Sequence, residues 1–268
     1  MNRNRYSLEY VFSISSVPNI FIDLVRDFFL KQTKLIGLMA VQEDWTTFYK
    51  YLRLLCKEFG GIMQNEPKLV KLNAPAIVIG DIQGSLNDLL MIERYFFMSF
   101  PVIPENLVFL GKQTATANYH KVDQHNSATK NFCFNKGNYS GDKPYGVECL
   151  IYLFALKLCA PNKVWLLRGS NEVNEKSSTL QAECLKKYGS TYGKHINAIF
   201  NDLFAKLPVA VIVDETIVCL HSGLPITGRI SRLQKLPKEI HVGAQEAPIV
   251  NEASKTIQSH KSDTDYGK

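Results

Sequence analysis

The apolar positions divide the chain into alternating strands and helices. Short apolar runs at 76–79, 107–110 and 164–167 predict three buried strands. The apolar spacing over 86–97 and 147–158 predicts a helix in each of the two intervals between them. The runs 209–213 and 217–220 flank the turn Asp214-Glu215-Thr216 and predict a hairpin. This order of elements indicates an α/β protein.

Two further helices are predicted before the first strand. The first lies within 8–39, and the spacing of its apolar residues predicts an amphipathic helix. No uncharged stretch there reaches the length of a membrane span, so this helix is expected to pack on its own domain. The second begins near Trp45 and is expected to end at Gly60-Gly61. The apolar positions that carry these predictions are Phe21, Leu24, Val25, Phe28, Phe29 and Leu35 in the first helix, and Trp45, Phe48, Leu52, Leu55 and Phe59 in the second.

Polar residues follow the points where the predicted strands end. Asp81 follows the first strand, Gly111 and Gly169 precede polar residues after the second and third, and His221 follows the hairpin. In α/β sheets the carboxyl edge of the strands is where sites are built. We therefore expect these positions to converge in one candidate site.

Composition and charge narrow the class of protein. The chain has 268 residues, of which 46% are hydrophobic and 21% charged, as in ordinary globular proteins. Its net charge of +6 is spread without a basic block, so no nucleic acid partner is predicted. The six cysteines form no CxxC pair, which favours reduced thiols in a cytoplasmic or nuclear protein. Cys219 is expected to be a buried strand thiol, and Lys186-Lys187 a solvated face.

Four segments, in order, resemble motifs of the PPP family of metal-dependent Ser/Thr protein phosphatases, which are calcineurin-like metallophosphoesterases. Residues 80–84 resemble GDxHG, 107–111 the strand before GDxVDRG, 166–172 LLRGNHE, and 207–225 LPVAAIVDE followed by HGGLSP. The resemblance implies an α/β (α+β) fold, a four-layer β-sandwich flanked by helices. It covers 45–235, after an N-terminal helical extension at 1–44 and before a tail at 236–268 that is expected to be disordered.

The family continues for about another hundred residues that this chain lacks, so we expect an incomplete sandwich with an uncovered sheet edge or apolar face. The resemblance also implies a binuclear metal centre that activates water, a histidine that protonates the leaving oxygen, and an arginine that holds the phosphate.

The first and third motifs depart from the family at several site positions. Asp81 and His221 match metal-ligand positions and are retained. Gln83 stands where the first motif has a histidine ligand, and Ser170 replaces the ligand asparagine. Asn171 replaces the general-acid histidine, and an amide cannot supply a proton near neutral pH. No intact catalytic residue is therefore predicted.

The second motif departs further. An inserted loop at about 112–142 separates the second strand from the next helix, and two alignments remain open. One places Lys112 and the other Asn138 where the family has its bridging aspartate, and neither places an arginine at the phosphate. Two interpretations of the retained residues Asp81 and His221 also remain open. Asp81 caps the next helix while His221 hydrogen-bonds in the core, or the two bind a single metal weakly.

Three functional hypotheses follow. The first is a pseudophosphatase, a catalytically impaired phosphatase-like protein that acts by binding and holds no metal. The second is a residual metal-dependent phosphoserine/phosphothreonine protein phosphatase with Mn²⁺, Fe or Zn at a weakened site. The third is an unstable fragment or faulty gene model of such an enzyme. The expected partners are a phosphoprotein or a phosphatase regulatory subunit, with no nucleic acid and no membrane.

Overall fold

The structure is a computed structural model, and it describes residues 13, 16–30, 45–80, 82–96, 106–110, 131–134, 144–169, 172, 178–221 and 230–239. Within these residues, the α-helices are Val17–Leu30 (α1), Trp45–Asn65 (α2), Leu86–Phe96 (α3), Gly146–Cys159 (α4) and Ser178–Lys206 (α5), and a 3₁₀ helix covers Ile230–Lys235. The strands are Leu69–Leu72 (β1), Ala76–Ile79 (β2), Asn106–Phe109 (β3), Asn131–Phe134 (β4), Val164–Leu166 (β5), Ala210–Val213 (β6) and Ile217–Leu220 (β7).

The described strands form two sheets. The first has the order β2-β3-β5 with all strands parallel, which confirms the three predicted strands and the two helices that connect them. The second has the order β1-β6-β7-β4. Its antiparallel β6–β7 pair is the predicted hairpin, and β1 and β4 run parallel to β6 and β7 respectively. Strand β4 falls within 112–142, so part of the segment that the sequence predicts as an inserted loop is a strand.

The two sheets pack face to face between two outer layers. Side chains from both sheets, such as Val108, Val211 and Cys219, form one buried cluster between them. The other face of the three-stranded sheet packs on the helices, in the largest core of the described chain. The outer face of the four-stranded sheet packs on Leu233 and Leu236. This arrangement confirms the predicted helix-flanked sandwich.

The expectation of an uncovered apolar face is wrong for the part of the outer face that β1, β6 and β7 form in the described chain. The apolar side chains that these three strands place on that face are at most 6% exposed, the largest value being that of Ile212. Leu233 of the 3₁₀ helix packs on the same face and is itself buried. The apolar surface of these three strands is therefore removed from water.

Helix α4 lies at the centre of the helical layer. All fourteen of its residues are buried, and it packs against α1, α2, α3, α5 and β5. The contact with α1 confirms the predicted N-terminal amphipathic helix over Val17–Leu30, while Leu35 lies outside the described residues. Within the described chain, no helix is long and apolar enough to cross a membrane.

Two glycines in the helices behave differently from each other. The sequence predicts that α2 ends at Gly60-Gly61, and this prediction is wrong because the helix continues to Asn65. A Cβ atom at Gly60 would lie 3.0 Å from Cδ2 of Leu203, so the glycine allows α2 and α5 to pack closely. Gly189 instead breaks α5, since its φ of 72° lies in the region that favours glycine.

Candidate functional site

The carboxyl ends of β2, β3 and β5 meet at one edge of their sheet. The Leu110 amide donates to the Ile79 carbonyl at 2.9 Å, and the Leu167 amide donates to the Phe109 carbonyl at 2.9 Å. These bonds keep the three strand ends level beyond their last paired residues. The segments that follow the three strands therefore leave the sheet side by side, as the sequence predicts.

The end of the hairpin, which belongs to the second sheet, lies beside this edge. The Arg168 amide donates to the Pro208 carbonyl at 2.8 Å, which joins the segment after β5 to the residues before β6. Leu220 pairs with Ala210 at that end of the second sheet. His221 therefore leaves β7 beside the segment that follows β5.

The first motif forms a tight turn before α3. Gln83 and Gly84 have positive φ values of 50° and 74°, and the Ser85 amide donates to the Ile82 carbonyl at 2.8 Å. Ser85 Oγ accepts a bond from the Asp88 amide at 3.4 Å, so Ser85 is the residue that caps α3. The capping role that one interpretation gave to Asp81 is thus taken by Ser85. Asp81 itself lies outside the described residues, and Gln83 is half-buried.

The third motif is bracketed by two buried charged residues. Arg168 is 7% exposed, and its Nε donates to the Glu172 carbonyl at 3.1 Å. Glu172 is buried as well. This bond closes a short loop that includes Ser170 and Asn171, which lie outside the described residues. The described ends therefore hold the register of the motif on both sides.

His221 is buried at the end of β7, with 5% of its surface exposed. Burial lowers the pKa of the imidazole from 6.5 to about 4, so the ring is neutral at physiological pH. A neutral imidazole can act as a metal ligand or as a hydrogen-bonding core residue, and both interpretations stay open. Two residues earlier, Cys219 is fully buried in the strand, as the sequence predicts. None of the five cysteines whose side chains are described forms a disulfide, and all five are buried.

A buried charge cluster near this edge was missed by the sequence analysis. Lys187 Nζ lies 2.5 Å from Oε2 of Glu148 and 2.6 Å from Oε1 of Glu183, and it also donates to the Pro144 carbonyl at 2.6 Å. Burial disfavours the charged lysine, but the two carboxylates together hold its pKa above the ordinary value. The prediction that Lys186-Lys187 forms a solvated face is therefore wrong for Lys187, whereas Lys186 is exposed.

The cluster fixes the start of α4 against the first motif. The Glu183 carboxylate accepts bonds from the amides of Gly146 and Val147 at 3.2 and 3.0 Å, which suits a negative charge at a helix N-terminus. The preceding Tyr145 amide donates to the Gly84 carbonyl at 3.3 Å. The four-residue spacing of Glu183 and Lys187 was the available signal for this ion pair.

The remaining site predictions concern metal ligation. Among the residues that the structure describes, no three His, Cys, Asp or Glu side chains are grouped closely enough to hold a metal ion. Of the predicted ligand positions, Gln83 and His221 are described. Asp81, Asn138 and Ser170 lie outside the described residues, as does Lys112, so their roles stay predictions.

Comparison with protein families and solved structures identifies the class of this fold. Residues 74–247 match the family described as calcineurin-like phosphoesterase, and the chain belongs to that family. It is 32% identical over 176 residues to a protein of Schizosaccharomyces pombe whose name assigns it to the serine/threonine-protein phosphatases. That alignment covers 65% of this chain and 46% of the relative, so the chain spans about half the length of that protein.

A solved structure supports the same fold. It is a protein serine/threonine phosphatase from Saccharomyces cerevisiae, described as similar to human phosphatase PP5. The two structures share a TM-score of 0.60 at 20% sequence identity, over 83% of this chain and 60% of the yeast chain. The relationship to the phosphatase family is therefore shown by sequence, and the sandwich architecture agrees with it.

Proposed function

We propose that this chain is a catalytically impaired member of the phosphatase family that acts by binding rather than by hydrolysis. One observation carries the proposal. Arg168 and Glu172 hold the ends of the third motif in a buried, hydrogen-bonded frame. Within that frame the general-acid position is Asn171, and an amide has no proton to give near neutral pH.

The donor set at the family's ligand positions does not fit a binuclear metal centre. At an effective dielectric of about 20, unit charges 4 Å apart interact by about 4 kcal/mol, and each dication would gain roughly twice that from a bridging carboxylate. Lys112 at the bridge would reverse the sign of this interaction, and Asn138 would remove it. Gln83 and Ser170 add neutral oxygens, so no step of the proposed function passes through a metal.

A residual metal-dependent Ser/Thr phosphatase is the second candidate. The retention of Asp81 and His221 supports it, together with the low pKa that keeps His221 neutral and able to ligate. In that case these two residues would hold a single Mn²⁺, Fe or Zn ion, which would supply Lewis-acid polarisation of a phosphoryl oxygen. An unstable fragment or faulty gene model is the third candidate.

The proposed binding role also implies a setting. We propose a phosphoprotein or a regulatory subunit of related phosphatases as the partner. The reason is that a member of this family without catalytic activity would still share the fold, and so the surface shape, of the active enzymes that bind such partners. The described cysteines are buried and form no disulfide, which is compatible with the proposed cytoplasmic or nuclear location.

Metal stoichiometry and hydrolysis, measured on the same monodisperse preparation, test the proposal. The chain is incubated with Mn²⁺, freed of excess ion and assayed by inductively coupled plasma mass spectrometry and by phosphate release from a phosphoserine peptide. We expect a folded chain with near-zero metal and no turnover. Near two metals per chain with turnover would overturn the proposal in favour of the enzyme.

A matched pair of variants tests whether His221 is responsible for any binding of a single metal ion. If metal is bound at up to one equivalent, H221A should abolish that binding, whereas H195A, which removes an exposed histidine on α5, should leave it unchanged. Loss in H221A alone would support the single-metal candidate. A chain that never becomes monodisperse would support the fragment or faulty gene model.

A further inference from the structure

The solvent-facing side of α2 carries three cations in a row. Lys50, Arg53 and Lys57 are exposed and lie three and four residues apart, which places them on one face of the helix. None of the three forms an ion pair within the described part of the chain. Glu58 follows Lys57 directly and is therefore about 100° further around the helix axis. This face, called the α2 basic face, presents positive charge over about 10 Å along the helix.

An apolar surface lies among these charges. The α2 basic face borders a shallow depression of about 590 Å³ that is also lined by Thr46, Tyr49 and Leu54. Leu54 is 39% exposed and lies about 40° around the helix axis from Lys50, so part of an aliphatic side chain faces water beside the cations, on the side towards Glu58. The six lining residues include no carboxylate. The depression therefore combines positive charge with an apolar side chain at its margin.

Ring contacts fix one wall of the depression. The guanidinium of Arg53 lies 5.9 Å from the centroid of the Tyr49 ring, a distance at which a cation and an aromatic face attract each other. Tyr49 in turn packs at 5.0 Å, ring to ring, against Tyr192 of α5. This contact favours the rotamers that place Arg53 over an anchored ring, which reduces the entropy cost of binding a partner there.

We propose that the α2 basic face docks an acidic protein segment that also carries at least one apolar side chain. Carboxylates of the segment would meet the three cations, and its apolar side chain would cover Leu54. A nucleic acid backbone would satisfy the cations but leave Leu54 exposed, so a protein segment is the better match. The inference rests on the proposed binding role and names the chemistry of its partner.

Fluorescence anisotropy of a labelled peptide tests this surface directly. The probe is a fluorescein-labelled peptide of repeated Glu-Glu-Leu units, titrated with the full chain. We expect saturable binding that weakens as NaCl rises from about 0.05 to about 0.3 M, because exposed charge pairs are screened over that range. The triple variant K50E/R53E/K57E should bind about tenfold more weakly or worse, since three attractive pairs become repulsive. Absence of saturable binding to the unmodified chain would overturn the proposal.

A matched triple variant controls for net charge. R94E/K186E/K235E reverses one arginine and two lysines that are exposed elsewhere on the described chain. It should bind the peptide within about twofold of the unmodified chain, apart from a small long-range effect. Equal losses in the two triple variants would overturn the assignment to α2. Unchanged circular dichroism and thermal unfolding in each variant exclude a loss of fold.

Two further comparisons decide the class of partner. A Glu-Glu-Ser peptide and the chain with Leu54→Ser should each show weaker binding than the original pair, because the apolar contact is lost. Tighter binding of a uridine RNA oligomer or of phosphatidylserine vesicles than of the Glu-Glu-Leu peptide would refute an acidic protein segment. Neither readout depends on metal or turnover, so a positive result survives even if the chain proves to be an active phosphatase.

Discussion

Replacing Lys187 with methionine should destabilise the fold far more than the same change at an exposed lysine. The Lys187 side chain is 4% exposed, and its ammonium lies within 2.6 Å of oxygens on Glu148 and Glu183. Methionine fills a similar volume, so the main loss is the positive charge rather than packing. Two carboxylates would then remain in a largely buried cluster without the cation that faces them.

The magnitude follows from opposing electrostatic contributions. At an effective dielectric of about 20, charges about 3 Å apart attract by about 5–6 kcal/mol, and the desolvation of the ions offsets much of this. Removing one partner of a buried pair costs about 3–5 kcal/mol, because the other partner stays buried and charged. We expect K187M to lower the free energy of unfolding by that amount, a large share of the roughly 5–15 kcal/mol typical of a native domain.

Urea unfolding followed by circular dichroism measures this loss. K186M, at the exposed neighbour, is the matched control and should change the free energy of unfolding by less than about 0.5 kcal/mol. Adding E148Q to K187M should recover part of the loss, because one buried charge is neutralised. The loss should also shrink towards acidic pH, where carboxylates take up protons. A loss below about 1 kcal/mol that does not vary with pH would refute the electrostatic explanation.

Three other predictions concern the site and the helices. Because burial lowers the pKa of His221 to about 4, the unfolded chain binds more protons than the folded chain between about pH 4 and 6.5. This residue should therefore cost up to about 3 kcal/mol of stability as the pH falls through that window. An H221Q variant should show a shallower pH dependence of the free energy of unfolding. G189A should destabilise by about 1–3 kcal/mol in thermal or urea unfolding because φ there is 72°, whereas G61A, where a Cβ meets nothing within 4 Å, should stabilise by about 0.5–1 kcal/mol. The double change S170N/N171H alone should not produce phosphatase activity on a phosphopeptide, and robust turnover would show that the bridging position matters less than its charge implies.

The sequence predicted the strands whose apolar character is continuous. Strands β2, β3 and β5 lie between the helices and the second sheet, so apolar side chains occupy both of their faces and the apolar run stands out in the sequence. Strand β1 was missed because the exposed Lys71 interrupts its apolar run. Its neighbour Lys68 is buried, because Nζ donates to the carbonyls of Ala205 and Leu207, which no local pattern can indicate.

The position of the candidate site was predicted from the sequence, but the buried ion-pair cluster beside it was not. The strand ends could be placed from the apolar runs, since hydrogen bonds such as Leu167 to Phe109 follow once the strands are parallel. The cluster around Lys187 depends on packing between α4 and α5, which are separated along the chain. A lysine in such a cluster looks in the sequence like any lysine on a helix surface.

The complete enclosure of α4 has a consequence for how the molecule opens. Every residue of the helix is buried, and neighbours surround it on the sides of α1, α2, α3, α5 and β5. Water cannot reach its amides by fraying of one neighbour alone, so these protons should exchange with deuterium only when the helical layer opens as a unit. The amides of α4 would then be the slowest-exchanging reporters in that layer, and their exchange rate would measure its cooperative opening.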